Sequence, residues 1–199
     1  MTAHKYSEPD YWSKKAFSEN YPARSVYKLQ EMNNKFHLFS ASAAVLDLGA
    51  APGSWTVYAL RFLNASGRIT SVDLKPLDSS VDDKRLHFFQ GDMSNKTVIN
   101  SVKTLGPYDA VICDAAPATT GNKTVDTSRS AALVELALYY AQEQLKKNGN
   151  FVVKIFQGGQ QHVYLTELRK MFKTAKGFKP EACRNSSFET YLIGLGFNG

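Results

Sequence analysis

Short apolar, β-branched runs alternate with longer amphipathic stretches along almost the whole chain, the pattern of a parallel sheet covered by helices. Strands are expected over 44–49 (AVLDLG), 67–74 (GRITSVDL), 86–92 (LHFFQGD), 109–114 (DAVICD) and 150–156 (NFVVKIF). Two more, 178–184 (FKPEACR) and 189–197 (ETYLIGLGF), follow one another at hairpin-like spacing. The segment 129–147 carries apolar residues at helical spacing and ends in lysines before Asn148-Gly149, a helix stop. Helices are also expected over 161–174 and over 23–39, ahead of the first strand. No repeat, low-complexity tract or linker divides the chain, so the pattern predicts one α/β domain spanning 1–199.

The stretch VLDLGAAPGSW (45–55) places Asp47 and then Gly49 and Gly53 where the first strand runs into a helix. That is the carboxyl edge of the sheet, where open α/β folds bind ligands. Ala50, Ala51 and Pro52 separate the glycines, so the dinucleotide fingerprint GxGxxG fails. Asp73 closes the second strand and Asp92 follows the third, and in a right-handed parallel sheet these loops converge on one crevice. A carboxylate after the second strand suits a ribose diol, since it can accept two hydroxyl hydrogen bonds, and Asp92 could accept from the exocyclic amine of adenine. Taken singly, each could equally be a turn aspartate.

Lys154 interrupts an otherwise apolar strand between Val153 and Ile155. A lone buried ammonium is expensive, so a carboxylate partner is expected, and Asp114, ending the neighbouring strand, is the natural candidate. An internal ion pair or a snorkelling edge lysine would be the purely structural explanation.

Composition adds a polyanion preference. The 24 Lys plus Arg against 18 Asp plus Glu give a formal charge of +6 and a pI near 9.2. Cys113 and Cys183 are isolated, with no CxxC pair, which suits a reduced cytoplasmic setting. His4, His37, His87 and His162 lack ligand spacing, so no metal site is expected. The polar start MTAHKYSEPD does not read as a signal peptide, and no apolar run approaches membrane-spanning length.

Seven stretches in order carry a resemblance: ARSVYKLQEM, VLDLGAAPGSW, SVDLKP, FFQGDM, VICDAAPATTGN, VVKIFQGG and KPEACRNSSFETYLIGLGF. From about Asp10 onward the chain resembles the FtsJ/RrmJ family of S-adenosylmethionine-dependent RNA ribose 2'-O-methyltransferases. The resemblance implies a Rossmann-like methyltransferase fold, a seven-stranded, mostly parallel sheet with the last strand antiparallel and helices on both faces. It implies S-adenosylmethionine as cofactor, with S-adenosylhomocysteine as product, contacted by Gly53, Trp55, Asp73, Asp92 and Asp114. It also matches Lys28, Asp114, Lys154 and Glu189 to the family's catalytic Lys-Asp-Lys-Glu tetrad.

By the same resemblance the substrate is RNA, a uridine ribose in the A-loop of large-subunit ribosomal RNA within the assembled subunit. Transfer RNA and mRNA caps are the alternatives, and a non-catalytic assembly factor or RNA chaperone the alternative of another class. The enzyme is expected to act as a monomer, away from membranes. Residues 1–40 would form a basic RNA-facing extension and helix, and Lys5, Lys14, Lys15, Arg24, Lys35 and Arg184, interleaved with Tyr6, Tyr11, Trp12, Phe17 and Tyr21, could make an RNA face. Lys123 and Arg129 add positive charge after Asp114. Ser54, Ala115 and Cys183 depart from the residues frequent in the family, which touches substrate choice more than the reaction.

Whether Lys154 is charged is open at this level. Burial and Lys28 favour the neutral amine a general base needs, whereas Asp114 and Glu189 favour the ammonium.

Overall fold

The computed structural model describes residues 10–158, 160–184 and 187–199. A seven-stranded sheet runs in the order β3-β2-β1-β4-β5-β7-β6. Its strands are β1 (Ala44–Leu48), β2 (Arg68–Asp73), β3 (Leu86–Gln90), β4 (Tyr108–Cys113), β5 (Leu145–Phe156), β6 (Phe172–Phe178) and β7 (Glu189–Phe197). The first five are parallel, whereas β7 is inserted antiparallel between β5 and β6. The expected fold class is the observed one.

Every residue of β1 is buried, as a central parallel strand covered on both faces requires. On one face, alternate strand residues such as Leu46, Val111, Phe151 and Val153 pack on α4 (Lys96–Leu105), α5 (Lys123–Gln144) and α6 (Gln161–Met171). On the other, Val45, Ile112, Val152 and Tyr191 pack on α1 (Tyr11–Ser18), α2 (Val26–Phe36) and α3 (Ser54–Phe62). The chain reverses its direction of travel across the sheet between β1 and β4, and the crevice at such a switch point opens at the carboxyl ends of the strands.

One strand lies elsewhere than expected. Residues 172–178, not 178–184, form β6, and 179–184 are a turn closed by the Cys183 amide donating to the Pro180 carbonyl at 3.0 Å. Phe172, Ala175 and Phe178 recur every three residues and so imitate the continuation of α6. Proline has no amide to give a ladder, which keeps β6 from extending past it. Helices α1 and α4 both open on side-chain caps: the Asp10 carboxylate accepts from the Ser13 amide at 2.9 Å, and Asn95 from the Thr97 amide at 2.8 Å. Asn122 likewise caps α5, which starts six residues before the expected 129.

Candidate active site

A cavity of about 1020 Å³ opens at the switch point, with Gly49, Ala51, Asp73, Asp92, Met93 and Asp114 among its lining residues. Gly49 has φ +73°, and a Cβ there would stand 2.5 Å from the Cβ of Ala115. The turn therefore needs glycine for both backbone conformation and space. Asp73 braces it, accepting from the Ala51 amide at 2.9 Å and, on its other oxygen, from the Lys75 amide at 2.8 Å. The Asp92 carboxyl accepts from the amide and hydroxyl of Ser94, and these bonds hold it below the usual carboxylate range.

Gly53 and Trp55, expected beside the cofactor, are not among the residues lining this cavity. Gly53, at φ +116°, is the N-cap of α3. Trp55 is buried, its indole N–H donating to the Ser25 carbonyl at 2.9 Å and its ring 5.9 Å from that of Tyr191.

The charged residues of the tetrad are brought together as two ion pairs. Lys154 sits at 2.9 Å from Asp114 Oδ1 and donates to the Asp114 carbonyl at 2.6 Å. Lys28, from α2, lies 2.5 Å from Glu189 Oε1. The sheet register explains the meeting. Cys113 pairs with Val153, so Asp114 comes level with Lys154, and across β7 Lys154 faces Tyr191 while Phe156 faces Glu189. Side chains two apart share a face of a sheet, so Lys154, Tyr191 and Glu189 all point towards the α2/α3 side.

Both lysines are nearly enclosed, at 8% exposed for Lys28 and 7% for Lys154. Burial alone would favour the neutral Lys154 amine, but the charge and hydrogen bond of Asp114, helped by Glu189, outweigh it and raise the amine above its ordinary value. Burial likewise pushes the Asp114 carboxyl up, and Lys154, Lys28 and the Tyr191 hydroxyl more than reverse it. Lys154 is thus an ammonium and Asp114 a carboxylate.

Tyr191 escaped the sequence reading. Its hydroxyl donates to Asp114 Oδ1 at 2.7 Å, and its ring is wholly buried. The signal was available: it stands two residues after Glu189 on one strand face, and a buried phenol needs a polar partner. Tyr191→Phe is expected to lower the rate of the site's reaction by about tenfold while leaving the melting temperature within a few degrees, because one hydrogen bond is lost and the ring stays. Turnover and thermal melts of the variant check this.

Beneath the glycine turn, Asp47 is fully buried. Its Oδ2 accepts from the Thr56 hydroxyl at 2.8 Å, while Oδ1 has no hydrogen-bond partner among the described residues. Burial pushes its carboxyl from an ordinary 3.8 up to about 7, only partly offset by Thr56 and reinforced by Asp114 and Asp73. Between these two values the unfolded chain has released a proton that the folded chain still holds. Stability therefore falls as pH rises from about 3.8 to about 7. The uncharged Asp47→Asn lacks this loss and is expected to gain melting temperature relative to the parent across that window, checked by parallel melts at several pH values.

The proposed basic face is only partly free. Lys5 and Tyr6 lie outside the described residues. The Arg24 guanidinium bonds to Asp10 and donates to the Ala182 carbonyl at 2.6 Å, tying α1 to the turn before β7. Lys15 covers the Tyr27 ring at 4.7 Å and Lys35 the Phe178 ring at 4.5 Å. Tyr11 and Phe17 of α1 are exposed. Lys123 opens α5, and Arg129 donates to the Ala118 carbonyl at 3.2 Å, bracing the loop after Asp114. No helix among the described residues is long and apolar enough to cross a membrane.

The family model for FtsJ-like methyltransferases matches residues 21–197. The chain is 78% identical over its whole length to the ribosomal RNA large subunit methyltransferase E of Treponema denticola, and covers all of that protein. It is 46% identical to the protein of the same name from Desulforapulum autotrophicum, over 94% of this chain and 92% of the relative. Among solved structures, a Plasmodium falciparum protein described as a ribosomal RNA methyltransferase superposes with a TM-score of 0.78 at 26% identity, over 90% of this chain and 100% of the other.

Proposed function

The chain belongs to the FtsJ-like methyltransferase family, and from that membership and the site we infer that it transfers a methyl group from S-adenosylmethionine to a ribose 2'-hydroxyl of RNA. Its proposed substrate is a uridine in the A-loop of large-subunit ribosomal RNA, in the assembled subunit. The relatives' name supports ribosomal RNA of the large subunit as the target. The observation that carries the reaction type is the Lys154–Asp114 ion pair at the cavity's edge, with the Lys28–Glu189 pair on the same face of the sheet as Lys154.

The cavity fits the cofactor by volume and by chemistry. Asp73, Asp92 and Asp114 suit a molecule that carries positive charge, a ribose diol and an adenine amine, and Met93, Leu133 and Leu136 offer an apolar wall for a purine. Asp73 would hold the diol, Asp92 and Met93 the adenine end, and Asp114 the cationic end. Gly53 and Trp55 would act from behind the wall, setting the turn and the floor. When bound, S-adenosylmethionine supplies a methyl group already activated on a sulfonium.

The chain's own residues then have to align and deprotonate the 2'-hydroxyl. In-line displacement needs one oxygen lone pair aimed at the methyl carbon. The Lys154 ammonium, held by Asp114, donates to the other lone pair and so fixes the oxygen's rotation. Glu189, itself fixed by Lys28, accepts the hydroxyl hydrogen, and Tyr191 keeps the Asp114 carboxylate from swinging. In this reading the proton leaves late, passing to Glu189 once the forming O–C bond has put positive charge on the 2'-oxygen and made its proton acidic, so Lys154 need never be neutral.

That assignment has a pH signature. Because the Lys154 amine is raised above its ordinary 10.5, the rate of methyl transfer is expected to be flat from about pH 7 to 9 and to fall only when the lysine loses its proton. A single-turnover profile rising tenfold per pH unit across that range would instead show a neutral-lysine base.

The test of the whole reading is transfer of radiolabelled methyl to unmodified large subunits, free ribosomal RNA and transfer RNA, with mapping of alkali-resistant sites. Label on one A-loop uridine of the subunit is expected. Label on transfer RNA alone would change the substrate and keep the chemistry. No label on any RNA, with cofactor binding intact, would favour a non-catalytic assembly factor.

A further inference from the structure

We infer that Phe188 is the stacking surface for a base of the bound RNA, an inference that rests on the RNA reading above. Phe188 immediately precedes Glu189 and is 37% exposed, a large apolar ring presented to solvent beside a charged site. Its exposure is not a matter of slack. The Phe188 carbonyl accepts from the Gln157 amide at 2.7 Å, and its ring meets Phe156 edge to face, with centroids 4.7 Å apart and planes at 62°.

Phe156 itself pairs with Glu189 across the strands and lies two residues beyond Lys154 on the same face of the sheet. The aromatic pair is therefore the next layer outward from the Lys154–Glu189 centre. A ribose delivered to those two groups carries its own base, and its neighbours' bases, within a nucleotide's reach of this layer. An edge-to-face contact uses the edge of one ring and leaves a face of the other available. Single-stranded or flipped RNA bases are held by stacking on such faces, with little dependence on base identity. The lysines and carboxylates of the centre address the ribose and leave the base unheld, and Phe188 fills that need.

The alternative is that Phe188 merely shields Phe156. Leucine shields as well but has no π-face, whereas tryptophan has a larger one. Methyl transfer is measured against concentration of unmodified large subunits. Phe188→Leu is expected to raise KM by about tenfold, the loss of one stacked base, with kcat within about twofold and an unchanged melting temperature. Phe188→Trp is expected to keep KM within about twofold of the parent. An unchanged KM in Phe188→Leu overturns the inference, and so does a Phe188→Trp variant as impaired as the leucine one.

Failure of the parent protein to methylate any RNA would defeat the preceding reading instead. The stacking role is then decided by fluorescence of a single-stranded oligoribonucleotide containing 2-aminopurine. Quenching by the parent and its loss in Phe188→Leu support it, and equal or absent quenching by both overturns it.

Discussion

Lys154→Ala is expected to slow single-turnover methyl transfer by about 10²-fold or more while cofactor affinity stays within a few-fold of the parent. The loss is large because the ammonium fixes the rotation of the attacking hydroxyl, and misplacing a reacting atom by about 1 Å can cost about 10²-fold. Cofactor binding survives because Lys154 is not among the residues lining the cavity. Stability should fall moderately, since Asp114 still has the Tyr191 hydroxyl at 2.7 Å and the field of Lys28. Rapid-quench assays of labelled methyl transfer, with calorimetric titration of S-adenosylhomocysteine, measure both quantities. A rate within threefold of the parent would remove Lys154 from the reaction.

Gly49→Val should be still more disruptive, either preventing folding or yielding a folded chain with cofactor affinity reduced by more than about 100-fold. A Cβ at 49 would lie 2.6 Å from the Ala115 Cα, which is backbone and cannot swing aside as a side-chain tip could. A β-branched residue also strongly disfavours the φ of +73°. The collision is between the first-strand turn and the residue that follows Asp114, so any relief by movement displaces the carboxylate that positions Lys154. Circular dichroism melts and titration with S-adenosylhomocysteine distinguish the two outcomes. Parent-like melting together with parent-like binding would show that the crevice tolerates a turn of another shape.

Much of this was legible in the sequence because a few residues are hard to explain any other way. A lysine inside an apolar strand demands a carboxylate, and Asp114 supplies it at 2.9 Å. The alternation of strand and helix signals located β1, β2, β3, β4, β5 and β7 to within a few residues. What escaped depended on information a linear pattern does not carry. β6 is an edge strand, paired among the described residues with β7 alone, and its apolar spacing imitates a helix. Helix α4 does show an apolar stripe of Val98, Ile99, Val102 and Leu105, but it is only 10 residues long and α1 only 8, too short for the periodicity to stand out. Trp55, quoted within the glycine loop, turns inward to Ser25 and Tyr191, and the direction of an aromatic one turn past a loop is set by packing. The charge on Lys154 is a balance between burial, which favours the neutral amine, and Asp114 and Glu189, which favour the ammonium, and only their distances decide it.

The position of β7 bears on when the site comes into being. Asp114 and Lys154 leave the ribosome before the strand that carries Glu189 and Tyr191, yet that strand belongs in the interior of the sheet, hydrogen-bonded to β5 on one side and β6 on the other. It is the last strand in chain order, so its pairings with β5 and β6 become possible only after every other strand of the sheet has emerged. Until then β5 presents a bare edge, Asp114 lacks the tyrosine that steadies it, and Lys28 has no carboxylate to meet. A nascent chain can therefore display every residue that lines the cavity before the β6–β7 hairpin docks and brings Tyr191 and Glu189 to Asp114 and Lys28.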